Sequence, residues 1–84
     1  MVKSVNYYQH VVNNFIREDL NSNNDLYQHE VNLFCYLRDL YSRVKSEFDI
    51  AKDDIDVLRY LNSMLNQSQR TLYYYHQLDN KKVS

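Results

Sequence analysis

The chain has 84 residues, a formal net charge of −1, one cysteine, and no glycine, proline or tryptophan. Without glycine, the phosphate-binding loop, the dinucleotide-binding fingerprint and the nucleophile elbow of hydrolases are excluded, and tight β-hairpin turns are disfavoured. The balanced charge gives no general attraction to nucleic acid, and the longest apolar run, at residues 33–37, is too short to span a membrane. We therefore expect an all-α, non-enzymatic protein without metal or cofactor. A lone cysteine further favours a reducing compartment such as the cytoplasm.

The first predicted helix covers about residues 4–21, where apolar side chains recur with the 3.6-residue period of an α-helix. The members of its apolar stripe are Val5, Tyr8, Val12, Phe15 and Ile16. The polar segment 21–24 should end this helix, because short polar side chains compete for backbone hydrogen bonds. Asp25 and Gln28 then have capping-box spacing, which predicts that a second helix begins near residue 24.

The second predicted helix, about residues 25–46, has the broadest apolar surface in the chain. Five of its apolar side chains fall within about 60° of arc at 100° per residue. They are Leu26, Leu33, Leu37, Leu40 and Val44. Further apolar residues widen this surface to about half the circumference, more than one neighbouring helix needs. This helix is therefore predicted to be the central one.

The third predicted helix covers about residues 53–78. Its apolar positions at helical spacing are Ile55, Leu58, Leu61, Leu65, Leu72 and Tyr75. Residues 80–84 are expected to form a disordered tail, and residues 1–84 to form a single helical domain. The predicted fold is thus a bundle of three antiparallel helices.

The alternative fold is a helical hairpin in which one long helix runs from residue 25 to residue 78. The apolar steps between residues 37 and 65 are all threes and fours, so nothing in the pattern forbids continuity. Such a rod would be about 80 Å long and would have to dimerise as a coiled coil to bury its seam. We favour the three-helix bundle, because helices this long are uncommon in globular domains.

Tyrosine is the most unusual feature of the composition, with nine residues that include the run Tyr73, Tyr74 and Tyr75. Three consecutive helical positions spread over about 200°, so one neighbouring helix cannot cover all three side chains. Tyrosine combines a large apolar ring with a polar tip and is enriched at protein interfaces. This run is therefore predicted to belong to a surface that binds a partner protein.

The segment 47–56 holds five of the eleven acidic residues and only one lysine. Asp53, Asp54 and Asp56 are predicted to supplement the tyrosine surface electrostatically, by attracting a basic region of the partner. A purely structural role is the competing explanation, since carboxylates at a helix start interact well with the free amides there.

No pattern in the sequence indicates a catalytic or metal-binding site. The three histidines lie on different segments, without a second ligand at a diagnostic spacing, and are expected to lie on the surface. Arg59 and Arg70 could join the tyrosines in stacking the bases of a single strand, which makes nucleic-acid binding the alternative function.

The sequence therefore predicts a non-catalytic protein-interaction module that forms a homodimer through its surplus apolar and tyrosine surface. Residue types with AT-rich codons far outnumber those with GC-rich codons. Together with the small size, this bias suggests a regulator or inhibitor of a host protein, encoded by a phage, virus or plasmid and acting in the host cytoplasm.

Overall fold

The fold consists of three α-helices that pack side by side. The computed structural model describes residues 2–47 and 54–83, and for residues 79–83 it describes the backbone alone. Helix α1 spans Val5–Leu20, α2 spans Leu26–Ser46 and α3 spans Asp54–Val83. The predicted all-α three-helix bundle is confirmed, and the boundaries are close to those expected from the sequence except at the end of α3.

The boundaries around the first turn follow from side-chain capping. The Ser4 side chain accepts a hydrogen bond from the Tyr7 amide at the start of α1, and Asp25 accepts one of 2.7 Å from the Gln28 amide at the start of α2. Between the two helices, Asn23 has a φ of 63°, in the left-handed region. Glycine normally takes such a position, and this chain uses asparagine, which tolerates it better than most other residues. The predicted start of the second helix near residue 24 is confirmed.

The alternative prediction of one continuous helix from residue 25 to residue 78 is wrong, because α2 and α3 lie against each other. Ser68 Oγ donates a hydrogen bond of 2.5 Å to Glu30 Oε2, and the rings of Tyr27 and Tyr75 are 6.0 Å apart. In a single helix, residues 30 and 68 would be about 57 Å apart. These pairs also show that α2 and α3 run antiparallel. Helix α2 ends at Ser46, and the Glu47 amide closes its last turn by donating to the Arg43 carbonyl.

The central position predicted for the second helix is confirmed, since α2 packs against both α1 and α3. The buried apolar core consists of Tyr8 and Val12 from α1, Leu33, Leu37, Leu40 and Val44 from α2, and Val57 and Leu61 from α3. The rings of Phe15 and Tyr36 stack at 4.2 Å beside it.

Two of the apolar positions expected in the stripes are instead exposed. Ile55 lies on the surface while Val57 is buried, so the apolar face of α3 begins at a different position from the predicted one. Leu26 has the predicted direction on α2 but is 63% exposed. It lies in the first turn of α2, beyond the point where α1 ends at Leu20, so no part of α1 covers it.

Helix α3 is longer than its neighbours and extends past them. It ends at Val83 rather than near residue 78, so its backbone is helical through residues 80–83, which the sequence analysis assigned to a disordered tail. No glycine or proline interrupts this stretch. Because Tyr75 lies beside Tyr27 in the first turn of α2, the residues after Tyr75 project beyond α2 by about 12 Å.

Within residues 2–47 and 54–83, none of the helices has the length and apolar character that crossing a bilayer requires.

Candidate protein-binding surface

Exposed apolar side chains concentrate at one end of the bundle, where α1 ends, α2 begins and α3 projects. We call this surface the tyrosine end and define it as Leu20, Leu26, Tyr27, Tyr74, Tyr75 and Leu78. All of them are exposed except Tyr75, which is half-buried. At the opposite end, the large apolar residues that the structure describes as exposed are Tyr7 and Ile55. The surplus apolar surface is therefore distributed unevenly along the bundle.

The aromatic rings of the tyrosine end touch one another. Tyr75 lies between Tyr27 and Tyr74, with ring centroids 6.0 Å and 6.1 Å away and with edge-to-face geometry in both pairs. The half-buried Tyr75 ring therefore contacts the two exposed rings and restricts their orientation. The structure thus joins Tyr74 and Tyr75 of the predicted surface, and it adds Tyr27, which the sequence analysis did not assign to it.

Tyr73 belongs to a different face of α3. Its hydroxyl accepts a hydrogen bond of 2.7 Å from the Gln77 side-chain amide, one turn later. It lines a shallow cleft with Asn66, Gln69 and Arg70 on the outer side of the helix. Successive helical positions differ by 100°, so Tyr73 and Tyr75 point in widely different directions. The run of three tyrosines is therefore divided between two faces.

The predicted acidic supplement lies far from the tyrosines. Asp54 and Asp56 are in the first turn of α3, and about 30 Å of helix separates Asp54 from Tyr74. Asp54 is also buried, whereas Asp56 is exposed. Asp53 lies outside the described residues. The structure therefore does not bring Asp54 and Asp56 together with Tyr73, Tyr74 and Tyr75 in one compact site.

The nine tyrosines fall into three groups by exposure. Tyr8 is buried, Tyr36, Tyr41, Tyr60 and Tyr75 are half-buried, and Tyr7, Tyr27, Tyr73 and Tyr74 are exposed. Burial raises the pKa of the Tyr36 and Tyr60 hydroxyls above the ordinary value. More than half of the tyrosines thus contribute to the interior, and the composition alone overstates how many are available to a partner.

A polar network beneath the tyrosine end joins α1 to α2. His29 Nδ1 lies 2.6 Å from Asp19 Oδ2, while the side-chain amides of Asn24 and Asn32 donate to Asp19 Oδ1 at 3.3 Å and 3.1 Å. His29 is buried, so its predicted place on the surface is wrong. The reason is that the last turn of α1 crosses the first turns of α2 and supplies a carboxylate that satisfies the imidazole. This network fixes the last turn of α1, which includes Leu20, against the first turns of α2, where Leu26 lies.

The same network predicts how stability depends on pH. The hydrogen bond with His29 lowers the pKa of Asp19 below its ordinary value, against an opposing effect of burial, and Asn32 and Asn24 lower it further. A carboxylate with a lowered pKa contributes stability above the unfolded-state value of about 3.9, and this stability disappears as the pH falls through the lower folded-state value. We expect Asp19→Asn to be less stable than the wild type at pH 5 and the difference to shrink below about pH 4.

Urea unfolding at a series of pH values would measure this difference. Asp39→Asn is the matched control, because the Asp39 carboxylate is exposed and pairs with Arg43 at 2.9 Å within one helix. Such surface pairs contribute little to stability. Parallel pH profiles for the wild type and Asp19→Asn would contradict the role assigned to Asp19.

A cavity of about 330 Å³ opens between the three helices next to the tyrosine end. Its lining consists of Ile16, Glu30, Leu33, Met64, Gln67, Ser68 and Thr71. The sequence did not predict this cavity, although it contains one signal: Ser68 occupies a stripe position between Leu65 and Leu72, where an apolar residue is expected. Ser68 is buried and its hydroxyl bonds to Glu30, so this polar pair lies where the apolar core gives way to the cavity.

The described part of the chain contains no group of three or more His, Cys, Asp or Glu side chains arranged to hold a metal ion. Comparison with protein-family models, with curated proteins and with solved structures finds no significant match. A function can therefore be proposed only from the geometry of the surfaces described above.

Proposed function

We propose that this protein is a non-catalytic protein-interaction module that binds its partner through the tyrosine end. The observation that supports this proposal is the concentration of exposed apolar side chains there, with Leu26 at 63% and Tyr74 at 61% exposure. The exposed members of this end present roughly 500 Å² of surface, taking about 200 Å² for a fully exposed large side chain. A standard interface buries about 800 Å² per partner, somewhat more than half of it apolar. The exposed area of the tyrosine end is thus about equal to the apolar area that one partner buries in a standard interface.

The first occupant that we propose for this end is a second copy of the chain. Tyr74 and Leu78 lie one turn apart on the exposed side of α3, close to the part that projects beyond α2. If two copies meet about a twofold axis with their α3 helices antiparallel, Tyr74 of each copy packs on Leu78 of the other. Such self-complementarity is what a twofold dimer requires.

The biological setting that we propose is a small regulator or inhibitor of a host protein, encoded by a phage, virus or plasmid and acting in the cytoplasm. Its support is the small size, the bias toward residues with AT-rich codons, and a single cysteine. A host protein would then use the same apolar end that brings two copies together.

The test for a host partner is affinity capture from native-cell extract, followed by titration of the identified protein against purified variants. Tyr74→Ala is expected to weaken binding by about tenfold or more, because tyrosine is one of the residue types enriched among interface hot spots. Tyr7→Ala is the matched control, since Tyr7 is also exposed but lies in the first turn of α1, at the opposite end of the bundle. Both variants should keep the helix content measured by circular dichroism. Equal binding by the wild type and Tyr74→Ala would rule out the tyrosine end.

Nucleic-acid binding is the second candidate function, and one observation favours it. Arg70 and Asn66 take part in two adjoining clefts on the outer face of α3, one of which includes Tyr73 and the other Arg59. Arginine, amide and tyrosine side chains are those that bind single strands by charge and stacking. This function predicts an affinity for a single-stranded oligonucleotide that falls steeply with salt and with Arg70→Ala. It also predicts that Leu26→Ala has little effect, because Leu26 is on α2 and lines neither cleft.

A further inference from the structure

One carboxylate, that of Glu30, belongs to the lining of the cavity beside the tyrosine end. Glu30 accepts the hydrogen bond from Ser68 at Oε2, and no ion pair joins it to a basic residue among the side chains that the structure describes. Glu30 is half-buried on the inner side of α2, between the core residue Leu33 and the first turn of the helix. A partly buried carboxylate interacts with a cation more strongly than an exposed one, because water screens it less.

The rest of the lining is suited to an aliphatic chain. Ile16, Leu33 and Met64 form the apolar part of the cavity, while the polar groups are Glu30, Gln67, Ser68 and Thr71. Lysine and arginine have this combination, since they carry a charged head on an apolar stem of three or four methylene groups. A volume of about 330 Å³ is ample for one such side chain.

The residues that line the cavity lie one helical turn from the tyrosine end on two helices. On α2, Leu26 and Tyr27 lie one turn before Glu30, and on α3, Tyr74 and Tyr75 lie one turn after Thr71. A protein that covers the tyrosine end therefore comes within one helical turn of the residues that line the cavity.

We propose that the cavity receives a lysine or arginine side chain of the host protein that docks on the tyrosine end, with its stem on Ile16, Leu33 and Met64 and its charged head on the Glu30 carboxylate. This inference rests on the proposed function, because it assigns the chemistry of the partner that the tyrosine end binds. A charge-assisted hydrogen bond to Glu30 would orient the partner, while the apolar contacts of the tyrosine end supply most of the buried area.

The test uses three capped amino acids as probes: the N-acetyl methylamides of lysine, arginine and norleucine. Norleucine matches the lysine stem but lacks the ammonium group. Each is titrated into the ¹⁵N-labelled full chain and into Leu78→Glu, in which a second copy should not compete for the cavity. We expect the lysine or arginine probe to shift amide signals near Glu30, Ser68 and Thr71. Glu30→Gln should weaken this binding by about tenfold, the effect of removing a charged hydrogen-bond partner.

Glu30→Gln keeps an oxygen that can accept the hydrogen bond from Ser68, so it should fold as the wild type does. Glu18→Gln removes the same charge from an exposed position on α1 and should leave probe binding unchanged. The proposal is overturned if neither basic probe shifts the cavity signals in either background, if norleucine binds equally well, or if Glu30→Gln has no effect. The probes bind without a docked protein, so this titration tests the cavity alone. Binding through the tyrosine end is tested separately, by Tyr74→Ala and Leu78→Glu.

Discussion

Leu78→Glu is expected to convert a dimer of this protein into a monomer. Leu78 is 37% exposed and, with Tyr74, forms the apolar pair of α3 at the tyrosine end. In the proposed twofold arrangement, a glutamate at this position would place two like charges near the symmetry axis, where both would lose water. Sedimentation equilibrium over a concentration series should give twice the chain mass of 10.3 kDa for the wild type and the single chain mass for Leu78→Glu.

Ile55→Glu is the matched control for this experiment. Ile55 is 44% exposed on the same helix, but it lies in the first turn of α3, about 35 Å away along the helix. The same chemical change there should leave the dimer intact, and both variants should retain the circular dichroism spectrum of the wild type. A wild-type chain that sediments as a monomer at every concentration, or equal effects of the two substitutions, would refute self-association through the tyrosine end.

The three helices, and the boundary between the first two, could be predicted from the sequence because local interactions determine them. The apolar period placed Leu33, Leu37, Leu40 and Val44 on one face, and all four are buried. Asp25 indicated a helix start through its three-residue spacing to Gln28, and the structure contains that hydrogen bond. Such features depend on residues within one or two turns of each other, which a single sequence displays directly.

The candidate binding surface could be predicted only in part, because it depends on how far each helix extends beside its neighbours. The sequence indicated the tyrosine run as a candidate surface. Which of the three tyrosines belong to it depends on the rotation of α3 about its axis, which places Ser68 and Tyr75 against α2. Burial of His29 depends on Asp19, ten residues away across the turn. Likewise, the exposure of Leu26 follows from the end of α1 at Leu20. Each of these is a relation between elements, on which local periodicity carries no information.

The largest effect on stability is expected from Leu37→Ala, and comparison with Leu26→Ala separates folding from binding. Both leucines belong to the same predicted stripe of α2, but Leu37 has 0% exposure and Leu26 has 63%. Truncation of a fully buried leucine leaves a cavity and typically costs 2–5 kcal/mol, so we expect Leu37→Ala to lower the free energy of unfolding by about 3 kcal/mol. Leu26→Ala should change it by less than about 0.5 kcal/mol in dilute, monomeric protein, as exposed substitutions usually do.

Leu26→Ala should have a clear effect on dimer affinity, in contrast to its small effect on stability. Leu26 is part of the apolar surface that we propose a second copy covers, so Leu26→Ala should raise the dimer dissociation constant by roughly fivefold, the effect of losing about 1 kcal/mol of apolar burial. Urea unfolding at low concentration measures the first quantity and sedimentation measures the second. If Leu26→Ala destabilised the monomer as much as Leu37→Ala did, Leu26 would belong to the core rather than to a binding surface. In the single copy Leu26 is exposed, so the interface is the place where its side chain could become buried. If Leu26→Ala changed neither the stability nor the dimer affinity, Leu26 would be excluded from the interface.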